Sequence, residues 1–407
     1  MAKIAFYTLG CKSNQFETGE LAREARARGF EVSDFNSPAD IYVINTCTVT
    51  QLADRKSRRA IRLARRKNPD AKLIVTGCYA DISPEEIPEA DLIVKNNEKT
   101  KIMENLFPHP IDPNAKRGEG IRVRENLMIE NGCEEFCKYC VVPFARGKVK
   151  SKPADQVIKE AVELVRAGAK EIVLTGINLG ACGPKLPMLI KKLAEIEGLL
   201  RIRLSSIEPM YITDELIEAI KATPKVCRHL HIPMQSGSTK TLKAMGRRYT
   251  AKEFAKIIKN IRRQIPDVTL NTDVIVGFPG ETEEDLEESM DLMKELKFGR
   301  IHPFHFSPRP KTAAFSMKGR IDPKIVRARA DKMHELRLKL MKDLANEAKR
   351  STQEVLVECR DKRSKLLEGL TESYLRVLFK GDDSLIGHLV KVRIKALKDE
   401  FVTGEAV

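Results

Sequence analysis

The chain has 407 residues, 42% hydrophobic and 32% charged, with 72 Lys and Arg against 57 Asp and Glu for a formal net charge of +15; this is too long for one ordinary core and basic enough to attract polyanions, nucleic acid among them. No apolar run reaches the roughly eighteen residues of a membrane span, and Met-Ala-Lys leads straight into an alternating pattern without a secretory leader, so no membrane partner and a cytoplasmic location are expected. Nine cysteines in such a chain point to metal binding, catalysis or buried thiols rather than a disulfide framework.

In chain order, strand patterns at Lys3–Leu9, Ile41–Asn45 and Leu73–Thr76 alternate with helical patterns near Asn14–Arg28 and from about Gln51. This alternation predicts a parallel, Rossmann-like N-terminal sheet over residues 1–110. Pro108, Pro110 and Pro113 mark a linker near 108–120. From 120 to 345, strand patterns at Leu127–Glu130, Glu171–Leu174, Arg201–Ser205, His229–Ile232, Thr269–Val276 and Ile301–Phe306, spaced by helices, predict a full or partial (β/α) barrel. A long charged helix is expected from Pro323 to about Arg350. Over 351–407 the period changes to two, which describes a small antiparallel β-barrel. In its Leu389–Lys395 segment, Val390, Val392 and Ile394 share one face and Lys391, Arg393 and Lys395 the other, a cationic row suited to a phosphate backbone or to plain solvent.

Cys133, Cys137 and Cys140 form a CxxxCxxC loop that follows a strand and Gly132, at the mouth of the expected barrel. Structural zinc would want a fourth Cys or His, and the following Val-Val-Pro-Phe-Ala-Arg offers none, so three thiolates leave an open coordination position. Buried free thiols are the bland alternative, and a polar, glycine-started loop is a poor place for them. Cys11, Cys47 and Cys78 lie 36 and 31 residues apart, each just after one of the first three strand patterns. Parallel strands carry their ends to one edge of a sheet, so these thiols should converge there as a second metal site.

With Thr8-Leu-Gly-Cys11-Lys-Ser-Asn14-Gln15, Asn45-Thr-Cys47-Thr, Thr76-Gly-Cys78-Tyr, Arg203-Leu-Ser-Ser-Ile-Glu208-Pro209, His229-Leu-His-Ile-Pro-Met-Gln235-Ser-Gly237 and Asp273-Val-Ile-Val-Gly277-Phe-Pro-Gly280-Glu281, the chain resembles the radical S-adenosylmethionine (SAM) tRNA methylthiotransferase family over nearly its whole length. Within the family it is most similar to the branch acting on N6-threonylcarbamoyladenosine beside the anticodon. Branches acting on N6-isopentenyladenosine or on a ribosomal-protein aspartate are the alternatives, and a metal-containing RNA-binding protein is the non-enzymatic one.

The resemblance implies two 4Fe-4S clusters and SAM as cofactors. The triad Cys133, Cys137 and Cys140 would hold the catalytic cluster, whose free iron binds SAM for reductive cleavage. The triad Cys11, Cys47 and Cys78 would hold an auxiliary cluster carrying the sulfur. Tyr139, Gly176, Asn178, Glu208, Gln235, Val276 and Gly277 match positions around SAM, and the tail is TRAM-like. The implied partners are a tRNA anticodon stem-loop and an electron donor of flavodoxin or ferredoxin type. For tRNA, Arg55, Arg58, Arg59, Arg62 and Arg66 on the helix after Cys47 join Lys391, Arg393 and Lys395 as expected contacts. The barrel-strand histidines read as core or turn residues.

Overall fold

A computed structural model describes residues 2–106 and 121–407. β1 (Lys3–Thr8), β2 (Glu31–Ser33), β3 (Ile41–Thr46), β4 (Lys72–Gly77) and β5 (Leu92–Val94) pair in parallel in the order β2-β1-β3-β4-β5. β3 is buried at every position and β4 at all but Lys72, as strands covered on both faces are. One face carries Tyr42, Ile44, Leu73 and Val75 beneath α2 (Gln51–Lys67), and the other packs Ile4, Val43 and Ile74 against α1 (Lys12–Ala27). The strand order reverses between β1 and β3, and open parallel sheets build their sites at the carboxyl ends beside such a reversal. Cys11 and Cys47 follow those two strands, and Cys78 opens the short α3 (Cys78–Ile82) after β4. The edge strands β2 and β5, three residues each, are too brief to show a period and escape sequence reading.

After α4 (Ile102–Leu106), the chain runs through β6 (Arg124–Met128) to a two-residue hairpin, β7 (Glu130–Asn131) with β8 (Lys150–Ser151), that closes the base of the cysteine loop and its short α5 (Val142–Arg146). β9 (Glu171–Thr175) and β10 (Arg201–Leu204) continue a parallel sheet from β6. β11 (His229–His231), β12 (Thr269–Val276) and β13 (Arg300–His305) form another, joined to the first through bridges at Ile202–Val226 and Ser206–His231. No pairing joins β13 to β6 among the described residues, so the barrel is partial. Along that open side α1 packs on β6, with Phe16 in the barrel's main core and Asn126 Nδ2 donating to Gln15 Oε1 at 3.2 Å.

Strand periodicity sorts the barrel residues into two sets. Leu127, Ile172, Leu174, Ile202, Leu204, Leu230, Leu270, Val274 and Ile301 join the helix-covered core. The alternate positions, among them Glu171, Arg201, Arg203, His229, His231, Asn271, Asp273 and His302, line a polar lumen.

The helix from Pro323 to Ala348 leads to a closed barrel of β14 (Thr352–Arg360), β15 (Leu367–Thr371), β16 (Arg376–Phe379), β17 (Leu389–Lys398) and β18 (Phe401–Ala406). Its pairings are antiparallel except β16 with β18, which is parallel, because a ring with an odd number of strands cannot alternate direction all the way round. This barrel closes the floor of the lumen. Arg201 donates to the carbonyls of Leu370 (2.9 Å) and Glu354 (3.0 Å), and Arg203 to those of Glu372 (2.8 Å) and Thr371 (3.1 Å) while pairing with Glu171 (2.7 Å). At the β15–β16 turn, Tyr374 lies 4.9 Å from the His229 ring. The linker expected near 108–120 lies outside the described residues.

Candidate active site at two cysteine triads

Gly10 turns the chain at φ +102°, and a Cβ there would sit 3.0 Å from Cys47 Sγ, so a bare glycine lets the Cys11 and Cys47 loops touch. Cys11 is exposed, whereas Cys47 and Cys78 are buried. Cys78 begins a helix, and Ile82, Val141 and Ala145 cover it, the last two from the segment just after Cys140. The two triads are therefore adjacent across the cleft between sheet edge and barrel mouth. Among the described residues no three His, Cys, Asp or Glu side chains close around a single ion. Three cysteine thiolates, each able to bind a different iron, are the donor set an iron–sulfur cluster takes. Burial pushes the Cys47 and Cys140 thiols up to about 12 and Cys133 to about 11, so iron would have to displace their protons on binding.

Buried charges surround the auxiliary triad. Arg146, the last residue of α5, is fully enclosed and donates to Glu17, Asn14 and Asn131. Lys99 Nζ binds Glu17 at 2.5 Å and Asn45 Oδ1 at 3.1 Å, and Asn14 Nδ2 holds the carbonyls of Leu9 and Thr46 beside Cys11 and Cys47. On the other flank Arg309 donates to Asp54 and Thr48, both at 2.6 Å, and fixes the loop after Cys47.

At the barrel mouth, Arg247 Nη1 donates to Cys137 Sγ at 3.2 Å, and the same guanidinium pairs with Glu208 and reaches Tyr249 Oη at 3.0 Å. Glu208 is thus held in place by Arg247 with its side chain still 20% exposed. Asn178 is 3% exposed and only Tyr211 comes near its side-chain amide, and the hydroxyls of Thr175, which ends β9, and Ser205, just past β10, are buried without a partner. Three buried polar groups at the strand ends call for a polar ligand, and SAM, with its amino, carboxylate and ribose groups, fits. Glu130 braces the Asn178 loop by accepting its N–H at 2.7 Å, and a Cβ at Gly176 would come within 2.6 Å of that carboxylate. Burial raises Glu130 to about 8. Tyr139 packs against Met245, Ile275 and Phe278. Gln235 holds a strained φ of +64°, Val276 is buried, and the Gly277 N–H donates to Glu281 at 2.7 Å.

In the lumen, His231 Nε2 meets Asp273 at 2.9 Å and stacks on His302 at 5.5 Å. Burial, helped by His231, lowers His302 to about 4. A histidine whose folded value lies below its unfolded one adds stability above the unfolded value and loses it as pH falls. Part of the chain's stability should therefore disappear between about pH 6.5 and 4, and His302→Asn should flatten that slope in denaturant titrations. An unchanged slope would show that His302 titrates normally.

Of the basic residues after Cys47, Arg58 is bound by Tyr79 (2.7 Å) and Glu86 (2.8 Å), and Arg62 by Glu89 (3.1 Å). Arg55, Lys56, Arg59 and Arg66 have no ion pair among the described residues. The acids that neutralise this helix lie in a later segment, invisible to a local count of charge. On β17, Lys391 and Arg393 are exposed, and Lys395 pairs with Glu405 at 3.0 Å. Sequence reading missed Arg146, Arg247 and Arg309, and also Phe136 and Phe144, 57% and 45% exposed and edge-to-face at 5.8 Å on the catalytic cysteine loop. An apolar residue flanked by ligand cysteines was the signal for Phe136.

This architecture and site define a radical SAM enzyme. The Radical SAM superfamily model matches residues 128–293, the TRAM domain model 347–407, and the model of Uncharacterized protein family UPF0004 residues 3–96. The fold is similar to that of the radical SAM methyltransferase TsrM from Kitasatospora setae, solved with cobalamin and a 4Fe-4S cluster bound, with a TM-score of 0.56 at 17% identity over 77% of each chain. Among curated proteins, the chain is 40% identical to threonylcarbamoyladenosine tRNA methylthiotransferase MtaB of Bacillus subtilis, over 97% of this chain and 94% of that one. It is 34% identical to the Thermotoga maritima MtaB, over 99% and 96%, and 36% identical to a tRNA-2-methylthio-N(6)-dimethylallyladenosine synthase of Thermoanaerobacter pseudethanolicus, over 98% and 92%. The chain belongs to the radical SAM methylthiotransferase family. Its barrel accordingly uses SAM and a 4Fe-4S cluster. No helix among the described residues is long and apolar enough to cross a membrane.

Proposed function

We propose that this enzyme adds a methylthio group to C2 of N6-threonylcarbamoyladenosine in tRNA, beside the anticodon, using two 4Fe-4S clusters, SAM and a flavodoxin- or ferredoxin-type electron donor in the cytoplasm. The observation that carries the two-site reading is the packing of Cys78 on Val141 and Ala145, which leaves the sulfur-holding triad next to the radical-generating one. Cys133, Cys137 and Cys140 would hold a cluster that, with SAM, would supply radical chemistry able to act on an aromatic C–H bond. The Asn178 amide, the Thr175 and Ser205 hydroxyls and the loop of Gly176 bind and orient SAM. Tyr139 packs behind it, Gln235, Val276 and Gly277 shape the far wall, and Arg247 screens the thiolate of Cys137. Cys11, Cys47 and Cys78 would hold the second cluster, and the base would have to flip out of its loop to reach both triads. Arg55, Arg59 and Arg66, with Lys391 and Arg393, grip phosphates, while Arg58, Arg62 and Lys395 would have to leave an acid to do so. Residues 1–110, 120–345 and 351–407 would form three parts, the first boundary lying outside the described residues.

The threonylcarbamoyl substrate is favoured over dimethylallyladenosine by the 40% identity to the Bacillus subtilis protein against 36% to the synthase. Mass spectrometry of tRNA nucleosides from cells lacking the protein should show loss of the methylthio group from threonylcarbamoyladenosine alone; loss from the isopentenyl nucleoside would reverse the assignment. Reconstituted enzyme should hold about eight irons, falling to about four when Cys11, Cys47 and Cys78 are replaced by alanine. Unchanged iron in that triple variant would remove the second cluster from the scheme.

A further inference from the structure

Lys12 directly follows Cys11 and opens α1, the helix that fills the gap in the barrel wall. Its ammonium lies 5.5 Å from the centre of the Tyr374 ring. Around that ring the lumen is crowded with cations, most of them already held by acids or carbonyls. Arg124 pairs with Glu358 (3.3 Å), Arg203 with Glu171 (2.7 Å), and Arg201 gives its two Nη donors to carbonyls of the C-terminal barrel, its Nε having no partner. Asp273 is taken by His231 (2.9 Å). Among the described residues no carboxylate stands within ion-pair distance of Lys12. The surroundings register this excess: burial would raise the Tyr374 phenol, yet Lys12, Arg124 and Arg203 together bring it below its ordinary value. A half-buried ammonium in an electropositive pocket, one residue from an iron ligand, lacks an anion.

We propose that Lys12 reads the substrate by binding the carboxylate of its threonylcarbamoyl substituent, with the ring of Tyr374 and the face of His302 enclosing the rest of that group. This rests on the substrate assigned above. A base whose C2 lies between the two triads has its N6 substituent on the same ring, within reach of the lumen where Lys12 stands. An isopentenyl group would bring no charge to that position and leave the ammonium desolvated and unpaired. Discrimination of this kind, in which a buried polar group is left without its partner, is the strong kind.

The test uses the full-length enzyme with both clusters reconstituted and stem-loop RNAs carrying threonylcarbamoyladenosine, its neutral carboxamide counterpart, or isopentenyladenosine. With wild-type enzyme, changing carboxylate to carboxamide should lower kcat/KM by about fiftyfold, the scale of a charge-assisted contact. Lys12→Met should lose a similar factor on the carboxylate substrate and little more on the carboxamide, and Lys12→Arg should recover part of the loss. Equal turnover of the two RNAs by wild-type enzyme overturns the proposal. So does an equal loss by Lys12→Met on both, which would mean a phosphate contact. Iron content of each variant separates a damaged cluster from a lost contact, and the wild-type comparison needs no variant. Should wild-type enzyme modify only the isopentenyl RNA, the substrate assignment itself fails, a distinct result.

Discussion

Replacing Arg146 with methionine is expected to cost about 3–5 kcal/mol of stability and to empty the auxiliary site of iron. The size follows from what remains behind: Glu17, buried against Lys99, would lose its second cation, and breaking a buried charged network by removing one partner typically costs that much. Burial alone would raise the Glu17 carboxyl, but Lys99 and Arg146 outweigh it and hold the group below its usual range. The geometry adds a specific consequence. Arg146 ends the helix whose Ala145, with Val141 just before its start, covers Cys78, and it also holds Asn14, which fixes the carbonyls beside Cys11 and Cys47. Thermal unfolding and iron content of the same preparation check both effects: a lower midpoint with about half the iron is expected. Arg146→Met combined with Glu17→Gln should be less stable still, since the buried Lys99 ammonium, paired with Glu17 in the single variant, then has no carboxylate partner. A single variant with normal stability and full iron would mean that the network is ornamental.

The second large effect is expected at Arg247. Its guanidinium is the only side-chain donor found on a catalytic-triad sulfur among the described residues, and it neutralises Glu208 at the mouth. Hydrogen bonds to cluster ligands raise the reduction potential. Arg247→Met should therefore move the catalytic cluster to lower potential in a redox titration followed by electron paramagnetic resonance. Reductive cleavage of SAM should slow by about a hundredfold, the scale of losing one preorganised donor in a dry site. Arg247→Lys keeps the charge and should fall between. Slow cleavage at an unshifted potential would instead place Arg247 in SAM positioning through Glu208.

The parts of this molecule legible in sequence are those whose signal is short in range. The six cysteines sit in brief motifs at strand ends, and the barrel strand Thr269–Val276 shows its bounds through an unbroken β-rich run. The partial barrel and the small closed barrel follow from counting elements and from the change of period. What was not legible is held by partners far apart in the chain. Arg309 meets Asp54 across 255 residues, so nothing in Ser307-Pro-Arg-Pro announces a clamp on the Cys47 loop. The acids that occupy Arg58 and Arg62 follow the basic helix by more than a turn of strand and helix. Nothing near Cys78 in the sequence announces that Val141 and Ala145, just beyond the other cysteine loop, bury it. The lumen histidines read as ordinary core residues because no pattern says which face of a barrel strand is wet.

The floor of the barrel also has a consequence for the order in which the chain can be completed. Arg201 and Arg203 find their carbonyl partners 153 to 169 residues later, in a part of the chain synthesised after the central domain. The gap in the wall, by contrast, is filled by the first helix to be made. A nascent chain with its central domain already out of the ribosome therefore still has two buried arginines without acceptors and no Tyr374 beneath His229. Iron delivered at that moment would meet thiols on a mouth whose base is not yet set. Maturation of the catalytic centre must then wait for the tail, and shortening the chain from its carboxyl end would fail as an assembly defect before it failed as a loss of grip on RNA.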